Sequence, residues 1–251
     1  MVAGINSFVE KFKGYEDCYT IIGGTACDIL MSEAYVPFRV TKDIDMILIS
    51  EARDKEFVRL LWEFLQEGGY RFGWKSSEEV HFYRFTEPKV GYPAMIELFS
   101  RKPNYIGDVP SGIVPIHISD DISSLSAILL NDDFYNFMLS GRKTVSGLSV
   151  LAAEYLIPFK MYAWLDLKDK KANGAFVKER DLRKHKYDVF RLLQIADPSM
   201  KIAKTGLVAK SIERFLDEIR EEQIPFSQLG IAFEMDDALK AMSAIYDVRK
   251  T

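Results

Sequence analysis

The chain has 251 residues, 48% of them hydrophobic and 28% charged, enough to bury a full core and to form two modest domains. No apolar run is long enough to span a bilayer, and the stretch MVAGINSFVEKFKGYED lacks the apolar segment of a secretion signal, so a cytoplasmic protein without membrane contact is expected. The net charge of −4 speaks against a protein that coats nucleic acid non-specifically.

In chain order, hydrophobic spacing predicts a helix near Ile5 to Lys13, a strand near Tyr19 to Ile22, a helix near Thr25 to Ala34 and a strand near Asp43 to Ile49. A helix near Asp54 to Glu67 follows, in which Phe57, Leu60, Leu61, Phe64 and Leu65 recur at i, i+3, i+4 and i+7, before Gly68-Gly69 ends it. Strands are expected near Tyr70 to Trp74, Val80 to Phe85 and Ala94 to Phe99. Beyond PNYIGDVPSGIVP the pattern turns helical, with amphipathic helices near Leu151 to Lys171, Lys178 to Ala196, Gly206 to Glu222 and Met235 to Arg249. The expected class is α+β, with a mixed-sheet domain over residues 1–122 followed by a helical bundle over 123–251.

Charge is unevenly spread. Residues 168–191 hold nine Lys or Arg against four acids, so this stretch is +5 and the remainder −9. Such a patch suits an anionic ligand, although a solvated helix face has the same composition. Cys18 and Cys27 form no CxxC pair and have no histidine cluster beside them, so they read as small buried thiols. His81 and His117 lack companions and read as structural.

The chemistry concentrates in YTIIGGTACDILMSEAYVPFRVTKDIDMILIS. Alternate strand residues share a face, so Asp43 and Asp45 aim their carboxylates together while Ile44 and Met46 point into the core. Two carboxylates about 4 Å apart repel by about 4 kcal/mol at an effective dielectric near 20, which favours a shared proton or a cation. Hard oxygen donors on a rigid strand suit Mg²⁺, which takes its remaining ligands from water and substrate phosphates. Gly23-Gly24 stands where a strand turns into a helix, where backbone N–H groups approach phosphate oxygens; a plain tight turn is the alternative. Glu97 lies in the apolar run AMIELFS, either buried with a partner or facing water from an edge strand. Three such acids can hold two divalent ions. Farther on, His185 and Asp188 share a helix face, Lys184 and Asp188 are spaced to pair, and Lys160 sits among Ile157, Met161 and Trp164, where its head must snorkel out or meet an anion. P-loop, dinucleotide, zinc-protease and α/β-hydrolase signatures are absent from the sequence.

Gly23-Gly24-Thr25, then Arg39-x-Thr41-x-Asp43-Ile44-Asp45, then Glu97 on a later strand resemble the minimal nucleotidyltransferase core of the polymerase-β-like superfamily, and within it the AbiEii/AbiGii toxin branch, whose pattern runs GGTA and then R-x-[ST]-x-D-[IL]-D. YLIPFKMYAWLDLKDK and RDLRKHKYDVFRLL resemble that branch's distal motifs, so the likeness covers about residues 15–195. Eighteen residues separate Gly24 from Asp43, more than in compact members, and Lys184-His185 stands where many relatives carry Arg-Asp. The resemblance implies a nucleotidyltransferase-type sheet and transfer of an NMP from an NTP to a hydroxyl, with pyrophosphate released and one or two Mg²⁺ ions held by Asp43, Asp45 and Glu97, Glu97 completing the metal site or acting as general base on the acceptor hydroxyl. It implies NTP contacts from Gly23, Gly24, Thr25, Arg39, Thr41, Lys184, His185 and Asp188, and transition-state charge stabilisation from Lys160 and Lys184. It also implies a toxin-like role in a toxin–antitoxin or phage-defence system, with tRNA, other RNA or protein as acceptor and a cognate antitoxin as partner. Two rival readings remain at this point: a catalytically inactive nucleotide- or RNA-binding protein of the same fold, and a DxD glycosyltransferase.

Overall fold

The structure is a computed structural model that describes residues 2–49, 54–76, 81–101, 106, 128 and 131–247, with side chains undescribed at 73–76 and 81. His117, Val80, the expected 122/123 boundary and the expected helix end at Arg249 lie outside the described residues. Two units emerge: Met1–Leu130 with Arg142–Leu151, and Asn131–Gly141 with Ala152–Thr251.

The first unit is built on a mixed seven-stranded sheet. Its elements are α1 (Ile5–Lys11), β1 (Tyr19–Ile22), α2 (Gly23–Glu33), β2 (Asp43–Leu48), α3 (Lys55–Glu67), β3 (Arg71–Ser76), β4 (His81–Thr86) and β5 (Met95–Ser100), completed by β6 (Arg142–Val145) and β7 (Leu148–Leu151). The spatial order is β3-β4-β5-β2-β1-β7-β6. The pairs β2–β5 and β1–β7 are parallel and the others antiparallel.

Local chemistry accounts for most of these elements. Asp54 caps α3 by accepting from the N–H groups of Glu56 and Phe57 at 2.7 and 3.0 Å. The buried face of α3 is Phe57, Leu61, Trp62, Phe64 and Leu65. Trp62 takes the place expected for Leu60, which stays half-buried, and its indole N–H donates to the Ile106 carbonyl at 2.7 Å. Phe57 and Phe64 join Phe8, Phe12 and Tyr19 in an aromatic cluster, with Phe8 and Phe12 centroids 4.5 Å apart. Both cysteines are buried thiols outside any disulfide, and burial pushes the Cys18 thiol up to about 11, so it is unreactive.

The hairpin β6–β7 lies in the half of the chain expected to be helical. Ser146 and Gly147 form its two-residue turn with φ of 50° and 76°, the doubly positive geometry that matches strand twist. Arg142 fastens β6 to the start of β1, donating to Thr20 Oγ1 at 2.7 Å and to the carbonyls of Glu16 and Asp17 at 3.0 Å each. Replacing Arg142 with alanine is expected to lower the stability of this unit by about 2 kcal/mol, because the loss strands carbonyls that a charged donor had satisfied. A urea unfolding midpoint equal to that of the parent chain would contradict this role.

The second unit holds α4 (Asp132–Ser140), α5 (Ala153–Ala172), α6 (Glu179–Leu193), α7 (Gly206–Glu218) and α8 (Met235–Ile245). Asn131 caps α4, and the carboxylate of Asp133 accepts the Leu207 N–H at 2.8 Å at the start of α7. Pro158 lies inside α5 and has no N–H to offer the carbonyl of Glu154 four residues earlier. The hydroxyl of the fully buried Tyr246 donates to that carbonyl instead, joining α5 to the end of α8. No helix among the described residues is long and apolar enough to cross a membrane.

Candidate active site

The sheet register assembles the acidic residues. Asp43 and Asp45 occupy one face of β2 and are half-buried, whereas Ile44 and Met46 on the other face are fully buried. Ile47, next on the acidic face, is also buried, so the carboxylates stand where that face leaves the core. Asp45 is the direct partner of Glu97 across the parallel pair, and Asp43 is the partner of Met95. Neighbouring strands run about 4.8 Å apart, and residues in register share a face, so Asp43, Asp45 and Glu97 form one acidic corner. Glu97 is 6% exposed on a central strand, which excludes the water-facing edge position.

Arg84 continues the row on β4, in register with Glu97. Its Nε and Nη2 both lie 2.6 Å from Glu97 Oε1, which gives the buried carboxylate a counter-charge and leaves Oε2 outside the clamp. Sequence reading missed Arg84; the available signal was a cation amid the aromatic residues of HFYRFT.

The glycine bend touches this corner. Opposite Asp45 on β1 is Ile22, after which Gly23 turns the chain at φ +68° directly into α2. A Cβ on Gly23 would lie 1.8 Å from Asp45 Oδ2, so carboxylate and bend are in direct contact. The helix therefore begins at the glycines rather than at Thr25, and its cap residue, Ile22, supplies no side-chain acceptor for the first-turn N–H groups. Gly24 is flanked by Thr41 and Arg39: a Cβ there would meet Thr41 Cγ2 at 3.0 Å and the Arg39 guanidinium at 3.3 Å. Arg39 also stacks on Phe38 at 5.0 Å. Thr25 is fully buried, and its hydroxyl donates to the Asp43 carbonyl and lies 3.5 Å from Thr41 Oγ1, tying α2 to β2.

Gly23, Gly24, Arg39, Thr41, Asp43, Asp45 and Glu97 thus converge within the sheet unit. The distal residues form their own network in the helical unit. Lys160 on α5 is 2% exposed and donates to Asp188 Oδ2 on α6 at 3.1 Å; Asp188 is fully buried and also takes Arg191 at 3.4 Å. Lys160 therefore does not snorkel to water but meets the buried carboxylate of Asp188, which also faces Arg191. Lys184 and His185 are half-buried on the same helix.

A hard cation suits the all-oxygen donor set of Asp43 and Asp45. Among the described residues, however, no three His, Cys, Asp or Glu side chains are gathered closely enough to share an ion. Within the corner, Arg84 supplies Glu97 with a counter-charge, whereas Asp43 and Asp45 lie together on β2.

No protein-family model and no curated protein matches the chain. Solved structures align over most of its length. A candidate nucleotidyltransferase from H. pylori is 13% identical, with 96% of this chain and 89% of that chain covered at a TM-score of 0.33. The antibiotic-resistance factor ANT(2'')-Ia is 11% identical, with 90% and 93% covered at 0.39. The Megavirus polyadenylate synthase is 13% identical, with 94% of this chain and 49% of that chain covered at 0.38. Similarity at this level assigns no function, so the functional reading rests on the carboxylate corner and the glycine bend.

Proposed function

We propose that the chain is a nucleotidyltransferase, moving an NMP from an NTP to a hydroxyl acceptor with release of pyrophosphate. One observation carries the reading: Asp45 is at once in register with Glu97, on the same face as Asp43, and in contact with Gly23 at the start of a helix. Acid pairs alone are common. An acid pair beside an uncapped helix start joins a cation site to an anion site, as a metal-bound polyphosphate requires.

Asp43 and Asp45 would hold the divalent cation, which when bound neutralises charge on the polyphosphate and its leaving group. Backbone N–H groups at Gly23, Gly24 and Thr25 receive phosphate oxygens; Thr25 contributes its main chain, since its hydroxyl is engaged at Asp43. Arg39 and Thr41, beside Gly24, flank the same phosphates. Glu97, fixed by Arg84, takes the proton of the acceptor hydroxyl through Oε2. The acceptor oxygen forms its bond to the α-phosphorus as the bond to the bridging oxygen of pyrophosphate breaks. For Lys160, pairing with Asp188 supports a role in holding α5 to α6 in place of the transition-state role. Lys184, His185 and Asp188 are assigned to nucleotide contact only through the family resemblance.

A toxin-like role with a tRNA, other RNA or protein acceptor and a cognate antitoxin rests on that resemblance too. Purified protein is incubated with each α-labelled NTP, Mg²⁺, and total RNA or total protein. Label in one fraction supports transfer and names the acceptor class. A lack of label with every NTP, alongside NTP binding, favours the inactive binding protein; turnover of a UDP-sugar favours the glycosyltransferase.

A further inference from the structure

A cleft of about 460 Å³ lies between α5 and α6, lined wholly by the helical unit. Its walls are single helix faces: Trp164, Lys168, Lys171 and Ala172 on α5, and Glu179, Leu182, Arg183 and Lys186 on α6. Trp164 and Leu182, 2% and 9% exposed, make an apolar floor. Four cations stand around it, against the lining carboxylates Glu179 and Glu222. None of these residues belongs to the carboxylate corner.

The cations are arranged for exchange. Lys168 lies 4.8 Å over the Trp164 ring and pairs with Glu218 at 2.6 Å. Lys171 pairs with Glu179, and Lys186 with Glu222 at 2.6 Å. Arg183 is exposed and makes no ion pair among the described residues. The Lys168 and Lys171 pairs are open to solvent and contribute little stability, so a phosphate can replace the carboxylate at small cost, whereas the buried Lys186 keeps Glu222. A compact anion would call for donors converging on one point. Here the cations are spread along two helix walls, three residues or about 4.5 Å of rise apart on each, which suits successive phosphates of one strand.

We propose that this cleft binds the phosphodiester backbone of a single-stranded nucleic acid, with Lys168, Lys171 and Arg183 on its phosphates. Binding at the cleft requires none of the acidic residues, so this inference goes beyond the transfer reading and fails or stands separately from it.

The test is fluorescence anisotropy of a labelled oligouridylate of about twelve nucleotides, titrated with the full chain across a salt series. The expected result is saturable binding that weakens by about tenfold or more in Lys171→Ala/Arg183→Ala, with the log–log salt slope smaller by about 1.4, or about 0.7 per lost contact. Asp43→Asn/Asp45→Asn should bind the strand like the parent chain. If the double cleft variant melts early, Arg183→Ala alone, at an exposed position, is expected to halve the slope change. Three results would overturn the proposal: no binding by the parent chain up to about 100 μM at low salt, unchanged affinity and slope in the cleft variants, or displacement of the strand by equimolar pyrophosphate or ATP, which would mark a site for small polyphosphates.

Discussion

Asp45→Asn, alone or with Asp43→Asn, is expected to lower label transfer from an α-labelled NTP by about 10³-fold or more while the protein stays folded. Asparagine keeps the volume and one acceptor oxygen of aspartate but removes the charge that a divalent cation needs. Losing one preorganised electrostatic group commonly costs 10²–10³ in rate, and groups that act as a unit cost more. Stability should move the other way. The two half-buried acids on one face of β2 repel, and neutralising one relieves part of that repulsion, so the melting temperature should hold or rise slightly. A double variant that transfers label at the parent rate would remove the carboxylates from the reaction.

The second large effect belongs to a residue with no side chain. Gly23→Ala places a Cβ 1.8 Å from Asp45 Oδ2 and 2.8 Å from Asp45 Cγ, at a backbone φ of +68°. The left-handed conformation alone costs a non-glycine residue about 1–2 kcal/mol, and the overlap with Asp45 adds to it. Either the carboxylate leaves its position or the bend opens, so transfer should fall toward the level of Asp45→Asn and stability should fall as well. Gly24→Ala is the graded comparison, because its nearest atom is a Thr41 methyl carbon at 3.0 Å and the Arg39 guanidinium beyond it can shift. Equal losses in the two variants would show that the bend matters through general packing; a much larger loss at Gly23 ties it to Asp45.

Much of the sheet unit was legible locally. The alternation in DIDMIL places both acids on one face and Ile44 and Met46 on the other, and the structure has that arrangement. The Asp54 cap and the glycines after Glu67 bound α3 as their chemistry requires. The hairpin β6–β7 was missed although its signal is present in the sequence, as Ser-Gly between RKTV and LSVL. Short strands within a long helical stretch carry little periodic weight, and pairing of β7 with β1 joins Val150 to Ile21, a partner no local pattern names. α4 was missed for a similar reason, although Asn131 before two acids is a helix-start signature.

By itself the sequence determined which residue types could serve a phosphate and a cation, and on which face of each element they stand, because side-chain direction follows from strand and helix periodicity within a few residues. Only the tertiary structure decided which of them meet. Parallel pairing of β2 with β5 brings Asp45 beside Glu97, β4 brings Arg84 to Glu97, and helix packing pairs Lys160 with Asp188. These partners are far apart in the chain, and their register is selected by burial of the whole sheet and helix faces, a property that no single segment carries.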